Sequence, residues 1–485
     1  AGLEGDGGQI PPLVPVPPTD HRPLSFAQPR LWFLTQMDPE SGMYNLPFAL
    51  RLGGALNHRI LERSFLALVR RHETLRTTFP AVEGEPRQVV VDVDRFAIPV
   101  EDLTALSESE RGTAIGRYAE AQAQRPFHLD RDLPIRALLL RVSADAHILL
   151  VTVHHIAADA WSLAVVTHEV ATIYNALANE VEGAGMPSGD EPETLLPALP
   201  VQYRDFAVWQ RQWLQGALLE REIGYWKQRL GSTPPQLMLP TDHARPERQS
   251  YRGGRLTFHV PGEILEPLRR LSRRQGVTLF MTLLAAFKLL LSKFSGQTDI
   301  LVGTDVANRN RAETEQLVGF FVNLLPLRTD LSGNPSFVQL LGRVRETALG
   351  AYAHQDVPFE KIVDSLKLTR DLGRNPLVQV LFVLQNVPPP SLQLAGVNVE
   401  SLEFEHEVSR FDVGLFMEET EDGCAGLWKF SRDLFEPQTI AGWTQRFLRL
   451  LQQIGLSPEC GIETLEMDDA EVKEARRMDT KQRND

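Results

Sequence analysis

His154 and His155, with Asp159 four residues beyond the pair and Ala160, Trp161 and Ser162 directly after it, form the sharpest chemical constellation in the chain. An imidazole facing a cleft, with an ordinary pKa near ~6.5, can take or share a proton from an amine or hydroxyl nucleophile. His155 is the candidate for that role. Successive strand side chains point to opposite faces, so the pair cannot easily ligate one ion without a kink, and no metal is expected. The competing reading makes both histidines core residues satisfied by backbone carbonyls. Asp159 falls in a short loop before a helix, where a carboxylate either caps the helix or pairs with a buried cation. Arg76, in a helix-terminal run, is a candidate partner.

The elements that must position these residues are legible from periodicity. Residues 147–153 (HILLVTV) are apolar on both faces and read as a central strand, joined by the turn Ser143-Ala144-Asp145-Ala146 to a strand over 136–142. After the His-His loop, Leu163, Val166, Val170, Ile173 and Leu177 recur at helical spacing, with a cap near Ser162. An earlier helix starts at Asn57 with the stripe Ile60, Leu61, Ser64, Phe65, Leu68 and Val69, and Ser25 is an N-cap for an apolar, aromatic stretch over 24–34. The Gly- and Pro-interrupted stretch 179–200 closes a first lobe, and helices over 203–231 bridge to a second. That second region opens with a strand at 255–260, a helix at 263–275 and a buried apolar helix from Thr278, with late strands at 378–384 and around 426–430.

The 485 residues suit two or three compact units, and 43% hydrophobic with 23% charged residues is the composition of a globular protein. A net charge of −13 disfavours nucleic acid. Cys424 and Cys460 alone build no disulfide framework, so a reducing, cytoplasmic setting is expected. The most apolar run, 281–291, is broken by Lys288 and falls short of the ~18 residues of a membrane span, so no membrane partner is expected. The Pro-rich start lacks the pattern of a secretory signal, and a chain beginning at Ala1 reads as an excerpt from something longer.

Read with its flanks, the His-His segment resembles the His-His-x-x-x-Asp-Gly motif of condensation domains of nonribosomal peptide synthetases. The other motifs of that family follow in order: Ser25-Phe26-Ala27-Gln28-Pro29-Arg30-Leu31-Trp32, Arg71-His72-Glu73-Thr74-Leu75-Arg76-Thr77-Thr78-Phe79 and Tyr203-Arg204-Asp205-Phe206-Ala207-Val208-Trp209. Then come Val318-Gly319-Phe320-Phe321-Val322-Asn323, His354-Gln355-Asp356-Val357-Pro358-Phe359-Glu360, and Arg370-Asp371-Leu372-Gly373-Arg374-Asn375-Pro376-Leu377. The resemblance implies an α/β fold of two chloramphenicol acetyltransferase-like lobes in a V-shaped pseudo-dimer, with the active site in a tunnel between them. The divisions it implies are a Pro-rich linker from an upstream carrier domain at 1–23, an N-terminal lobe at 24–185, linker and bridging helices at 186–245, a C-terminal lobe at 246–465, and a linker toward an adenylation domain at 466–485.

In such domains the amine of a downstream aminoacyl thioester attacks an upstream acyl or peptidyl thioester. Both are carried on phosphopantetheine arms of carrier proteins, and the domain binds no cofactor itself. By resemblance, His155 is the catalytic histidine, as general base or as a positioning group, and His154 is structural. Asp159 pairs with Arg76 to hold the loop, and Ser25 and Asn323 are candidates to face the tunnel. The implied partners are the donor carrier protein, the acceptor carrier protein and an adenylation domain, with the excised domain a monomer. The arginines 269, 270, 273 and 274 form a solvated face on which an acidic carrier could dock.

One departure is Ala160 in place of the family's glycine. If the backbone there needs a positive φ, alanine would be strained by of order 1–3 kcal/mol. A tolerated variant, a donor-side specialisation and an impaired enzyme remain open. Within the fold, an epimerisation domain would need a second acid or base opposite His155, and a cyclisation domain would carry aspartates in place of the histidines. A free-standing acyltransferase using coenzyme A would not need Pro-rich linkers, and recruiting-only relatives usually lose the histidines. The linker at the start favours an internal elongation domain over a chain-starting one with a fatty-acyl donor.

Overall fold

The computed structural model describes residues 10–17, 22–183, 195–368, 371–385, 393–402 and 408–467. The chain divides into two units, the first made of 1–220, 307–322 and 387–406 and the second of 221–306, 323–386 and 407–485.

The first unit is organised by the strand Ala146–His154, which is central in its sheet as its two-sided apolar pattern predicts. Among the described residues the sheet runs, edge to edge, Val397–Leu402, Asn45–Gly54, Ala146–His154, Ile135–Arg141 and Val100–Asp102. Side chains alternate across a strand, so Leu149, Val151 and Val153 face one layer while Ile148 and Leu150 face the other. On the first face lie the helices His58–Arg71 and Ala160–Gly183, which pack on each other through Leu61, Phe65, Val166, Val170 and Ile173. The former starts at Asn57, whose side chain accepts the Ile60 N–H at 3.1 Å. The opposite face is covered by Glu108–Gln124, opened by a Ser107/Glu110 capping box.

Two segments from the chain's second half belong to this unit, which corrects the contiguous division at 185 and 246. The strand Val397–Leu402 pairs antiparallel with Asn45–Gly54, and Leu394 and Val397 enter the same core. Residues 307–322 return to the His-His loop. Both segments are drawn in by apolar burial and hydrogen bonds that span 150 residues of sequence or more, which local periodicity does not register. The start of the chain also differs from a plain linker: Leu13 is buried, and residues 10–17 lie against the helix Tyr203–Trp213. Residues 1–9, 18–21, 184–194 and 468–485, which include much of the expected linkers, lie outside the described residues.

The second unit holds a six-stranded sheet among the described residues, in the order Asn323–Asp330, Asp299–Val306, Val380–Gln385, Val413–Thr420, Gly423–Ser431 and Gly253–Pro261. The helix Leu279–Ser295 is capped by Thr278 and buried continuously from Met281 to Leu291, Lys288 included. Gly262–Gln275, Phe337–Ala353 and Pro437–Leu456 pack around it. No single described helix is long and apolar enough to cross a membrane.

Candidate active site

The strand Ala146–His154 ends on the first histidine, and the chain turns at once: the Ala157 N–H donates to the His154 carbonyl at 2.9 Å. That turn gives the two imidazoles different partners. His154 is buried against Phe127 and Tyr44, and its Nδ1 accepts the Ile156 N–H at 3.1 Å, which places its proton on Nε2. Burial, with His155 and Arg136 nearby, pushes its pKa down to about 3, so it is neutral. His155 is also largely buried, with Phe320 edge-on at 4.8 Å. Its Nδ1 lies 2.8 Å from the Ala158 carbonyl, which can only accept, so Nδ1 carries a proton, and in the neutral imidazole Nε2 holds the lone pair.

Asp159 is the N-cap of the helix Ala160–Gly183: its Oδ1 accepts the Ser162 N–H at 2.9 Å and the Ser162 hydroxyl at 2.7 Å. The same carboxylate, 2% exposed, pairs with Arg309 at 3.1 Å and accepts the Phe321 and Val322 N–H groups on Oδ2 at 3.0 and 3.2 Å. Arg309 is equally enclosed. It donates to the Ser162 hydroxyl, to the Leu317 carbonyl at 2.7 Å and to the Thr314 carbonyl, and lies over the Phe321 ring at 4.2 Å. A buried charge with this many donors around it is fully paired, and it joins two segments 150 residues apart.

Arg76 is not the partner of Asp159. It donates to the Val91 carbonyl at 3.0 Å and pairs at 3.6 Å with Asp92, whose side chain is fully exposed. The reason is local: Arg76 ends a single 3-10 turn, Glu73–Arg76, and its side chain is spent on Arg70 and on Val91 and Asp92, just past the short strand Val89–Val90. Nothing periodic marks Arg309 in the sequence, because it lies outside any regular element, in the run Asn308-Arg309-Asn310-Arg311. The one available signal is a charged side chain shortly before the apolar motif Val318-Gly319-Phe320-Phe321.

Ala160 is the first residue of its helix, exposed, and is not among the residues with positive φ, so the strain expected of alanine there does not arise. Trp161 donates its indole N–H to the Glu315 carbonyl at 2.9 Å. The polar groups of Ser25 and Asn323 are engaged within the fold. The Ser25 hydroxyl accepts the Gln28 N–H at 3.3 Å and meets the Tyr203 hydroxyl at 3.0 Å, while the Gln28 amide donates to the Ile156 carbonyl at 3.0 Å and braces the His-His loop. Asn323, in the second unit, spends both amide protons on the Gln355 and Val357 carbonyls and its oxygen on the Phe359 and Leu324 N–H groups. Arg370 lies outside the described residues.

The remaining early motifs brace the site from behind. His72 and Arg71 both reach Glu169 on the Asp159-capped helix, at 2.7 and 3.2 Å. Burial alone would raise the Glu169 carboxyl, but the hydrogen bond from His72 and the neighbouring Arg71 guanidinium hold it below its usual range. The Tyr203 hydroxyl also bonds the Phe320 carbonyl at 2.7 Å, fixing the ring that lies against His155.

A family model for the condensation domain matches residues 19–475. One of the proteins that make up the linear gramicidin synthase of Brevibacillus parabrevis is 44% identical over 469 residues, which are 96% of this chain and 6% of that protein. Phosphinothricin tripeptide synthetase PhsC of Streptomyces viridochromogenes is 38% identical over 92% of this chain and 40% of its own length. The X-domain from teicoplanin biosynthesis has 28% identity and a TM-score of 0.83, with 94% of this chain and 100% of that one covered. The first condensation domain of the calcium-dependent antibiotic synthetase has the same fold, at a TM-score of 0.73 and 21% identity over 93% of this chain and 100% of its own. The chain therefore belongs to the condensation-domain family of nonribosomal peptide synthetases.

Proposed function

We propose that the domain forms an amide bond: the amine of a downstream aminoacyl thioester attacks the carbonyl of an upstream acyl or peptidyl thioester. The tetrahedral intermediate collapses with expulsion of the donor thiolate, and the amine's proton leaves by way of the site to that thiolate. The observation that carries this reading is the Nδ1 hydrogen bond of His155 to the Ala158 carbonyl, which makes Nε2 the nitrogen that takes an amine proton when the ring is neutral. His155 then serves as base or holds the amine in attacking geometry, a contribution of about 7–11 kcal/mol in the best intramolecular cases. The substrates arrive on the phosphopantetheine arms of an upstream and a downstream carrier protein, with an adenylation domain following.

The test is intact-protein mass spectrometry with loaded donor and acceptor carriers. Transfer by the native domain and its loss in His155→Ala, with the fold unchanged, is the expected result; equal transfer by both would overturn the assignment of His155. A recruiting role is a second reading, favoured by the TM-score of 0.83 to the X-domain from teicoplanin biosynthesis, whose complex with OxyB is also a solved structure. Carrier binding without transfer would select it.

A further inference from the structure

Residues 10–17, Ile-Pro-Pro-Leu-Val-Pro-Val-Pro, have no regular secondary structure, yet they are held at three points on the first unit. The Pro11 carbonyl accepts two donors, the Trp209 indole N–H at 2.8 Å and Arg311 at 3.2 Å, and the Arg311 guanidinium lies 4.6 Å over the Trp209 ring. The Leu13 side chain, 4% exposed, fills an apolar pocket with Val201, Tyr203, Phe206, Leu317 and Phe321. The Val16 N–H donates at 3.1 Å to Asp205, a buried carboxylate. Val14, between these anchors, is exposed.

This pattern is selective. Prolines at 11, 12, 15 and 17 fix φ near −65° and supply no N–H, so the segment reaches its extended form at low entropic cost and offers carbonyls in excess of donors. A stacked aromatic that donates to a proline carbonyl, beside a pocket for one apolar side chain, is the physics by which proline-rich ligands are read. Trp213, stacked on Trp209 at 4.9 Å, extends the aromatic wall.

The groove's floor is also the back of the site. Phe321, whose ring lies 4.7 Å from Phe206, donates its N–H to Asp159, and the Leu317 carbonyl accepts from Arg309. We propose that the groove of Tyr203, Phe206, Trp209, Leu317, Phe321 and Arg311 is a reader of extended proline-rich chain, occupied by residues 10–17, and that this docking holds residues 311–322 onto the Asp159 carboxylate. The inference is independent of the amide-forming reading, because its readouts do not use turnover.

The full chain carrying Leu13→Asp should release the segment while the fold persists. Hydrogen exchange of peptides covering 317–322 should then speed up on the order of tenfold, and the Trp209 indole N–H resonance should move. A synthetic peptide of residues 10–17 added in trans should restore both, whereas the same peptide with aspartate for leucine should not. Trp209→Phe, which removes one donor and keeps the wall, should give the same exchange response in smaller degree and serves if Leu13→Asp unfolds the chain. Unchanged exchange at 317–322 in a folded variant whose segment is released would overturn the coupling, and failure of the native peptide to rebind would overturn the reader.

Discussion

Replacing Arg309 by methionine removes the cation from a carboxylate that is 2% exposed while keeping the apolar bulk beneath Phe321. Asp159 would retain its bonds from Ser162, Phe321 and Val322, but not the charge that offsets its burial. Breaking such a pair from one side costs ~3–5 kcal/mol. Asp159→Asn neutralises the other side, and because the two residues share one network the double variant should lose less than the sum, by well over ~0.5 kcal/mol. Arg76→Met is the control. It loses an ion pair with an exposed aspartate, worth ~0–1 kcal/mol, and a hydrogen bond to the Val91 carbonyl, worth ~0.5–1.5 kcal/mol, so its loss should stay below that of Arg309→Met. Urea unfolding followed by tryptophan fluorescence measures all four variants. Equal losses for Arg76→Met and Arg309→Met, or strictly additive losses for Arg309→Met and Asp159→Asn, would refute the assignment of Arg309 as the counter-charge.

Lys288 is buried in the helix Leu279–Ser295 and donates to the Leu327 carbonyl and the Thr329 hydroxyl, and that burial pushes its pKa down to about 7. The unfolded chain holds its proton up to about 10.5, so native stability should rise from pH 7 toward 10.5; Lys288→Met should flatten that rise in pH-dependent urea unfolding. His154, held neutral down to about 3, should cost stability as the pH falls below the unfolded value of ~6.5. The stability gap between the native chain and His154→Asn should therefore narrow between pH ~6.5 and ~4. Ala160→Gly, at an unstrained first helical position, should lower stability by less than the ~0.5–1 kcal/mol of a helix interior and leave amide formation unchanged, whereas a stabilised or more active variant would show that alanine is strained there.

Much of the first unit is legible in the sequence because its signals are local. The strand Ala146–His154 announces its central position by apolar residues on both faces, and the helix Ala160–Gly183 by its 3,4,3,4 spacing. Asp159 is readable as either a cap or a buried partner, and it is both. The motif order points to the family without any contact being known. The identity of the buried cation is not legible: Arg76 and Arg309 carry the same charge in the sequence, and only the path of residues 307–322 decides which one arrives. The same holds for Asn323, whose amide is spent on backbone groups of residues 355–359 that no spacing rule connects to it.

Periodicity, capping and motif spacing act over a few residues, and they specify the elements, the family and the residue types available at the His-His loop. Contacts in the folded chain are what make Arg309 the neutraliser of Asp159, put a proton on Nδ1 of His155, leave Ala160 unstrained and bring residues 10–17 into the fold. Each of these depends on which groups burial forces together across long stretches of chain. A charge or a proton in a dry interior is set by its neighbours rather than by its own residue type.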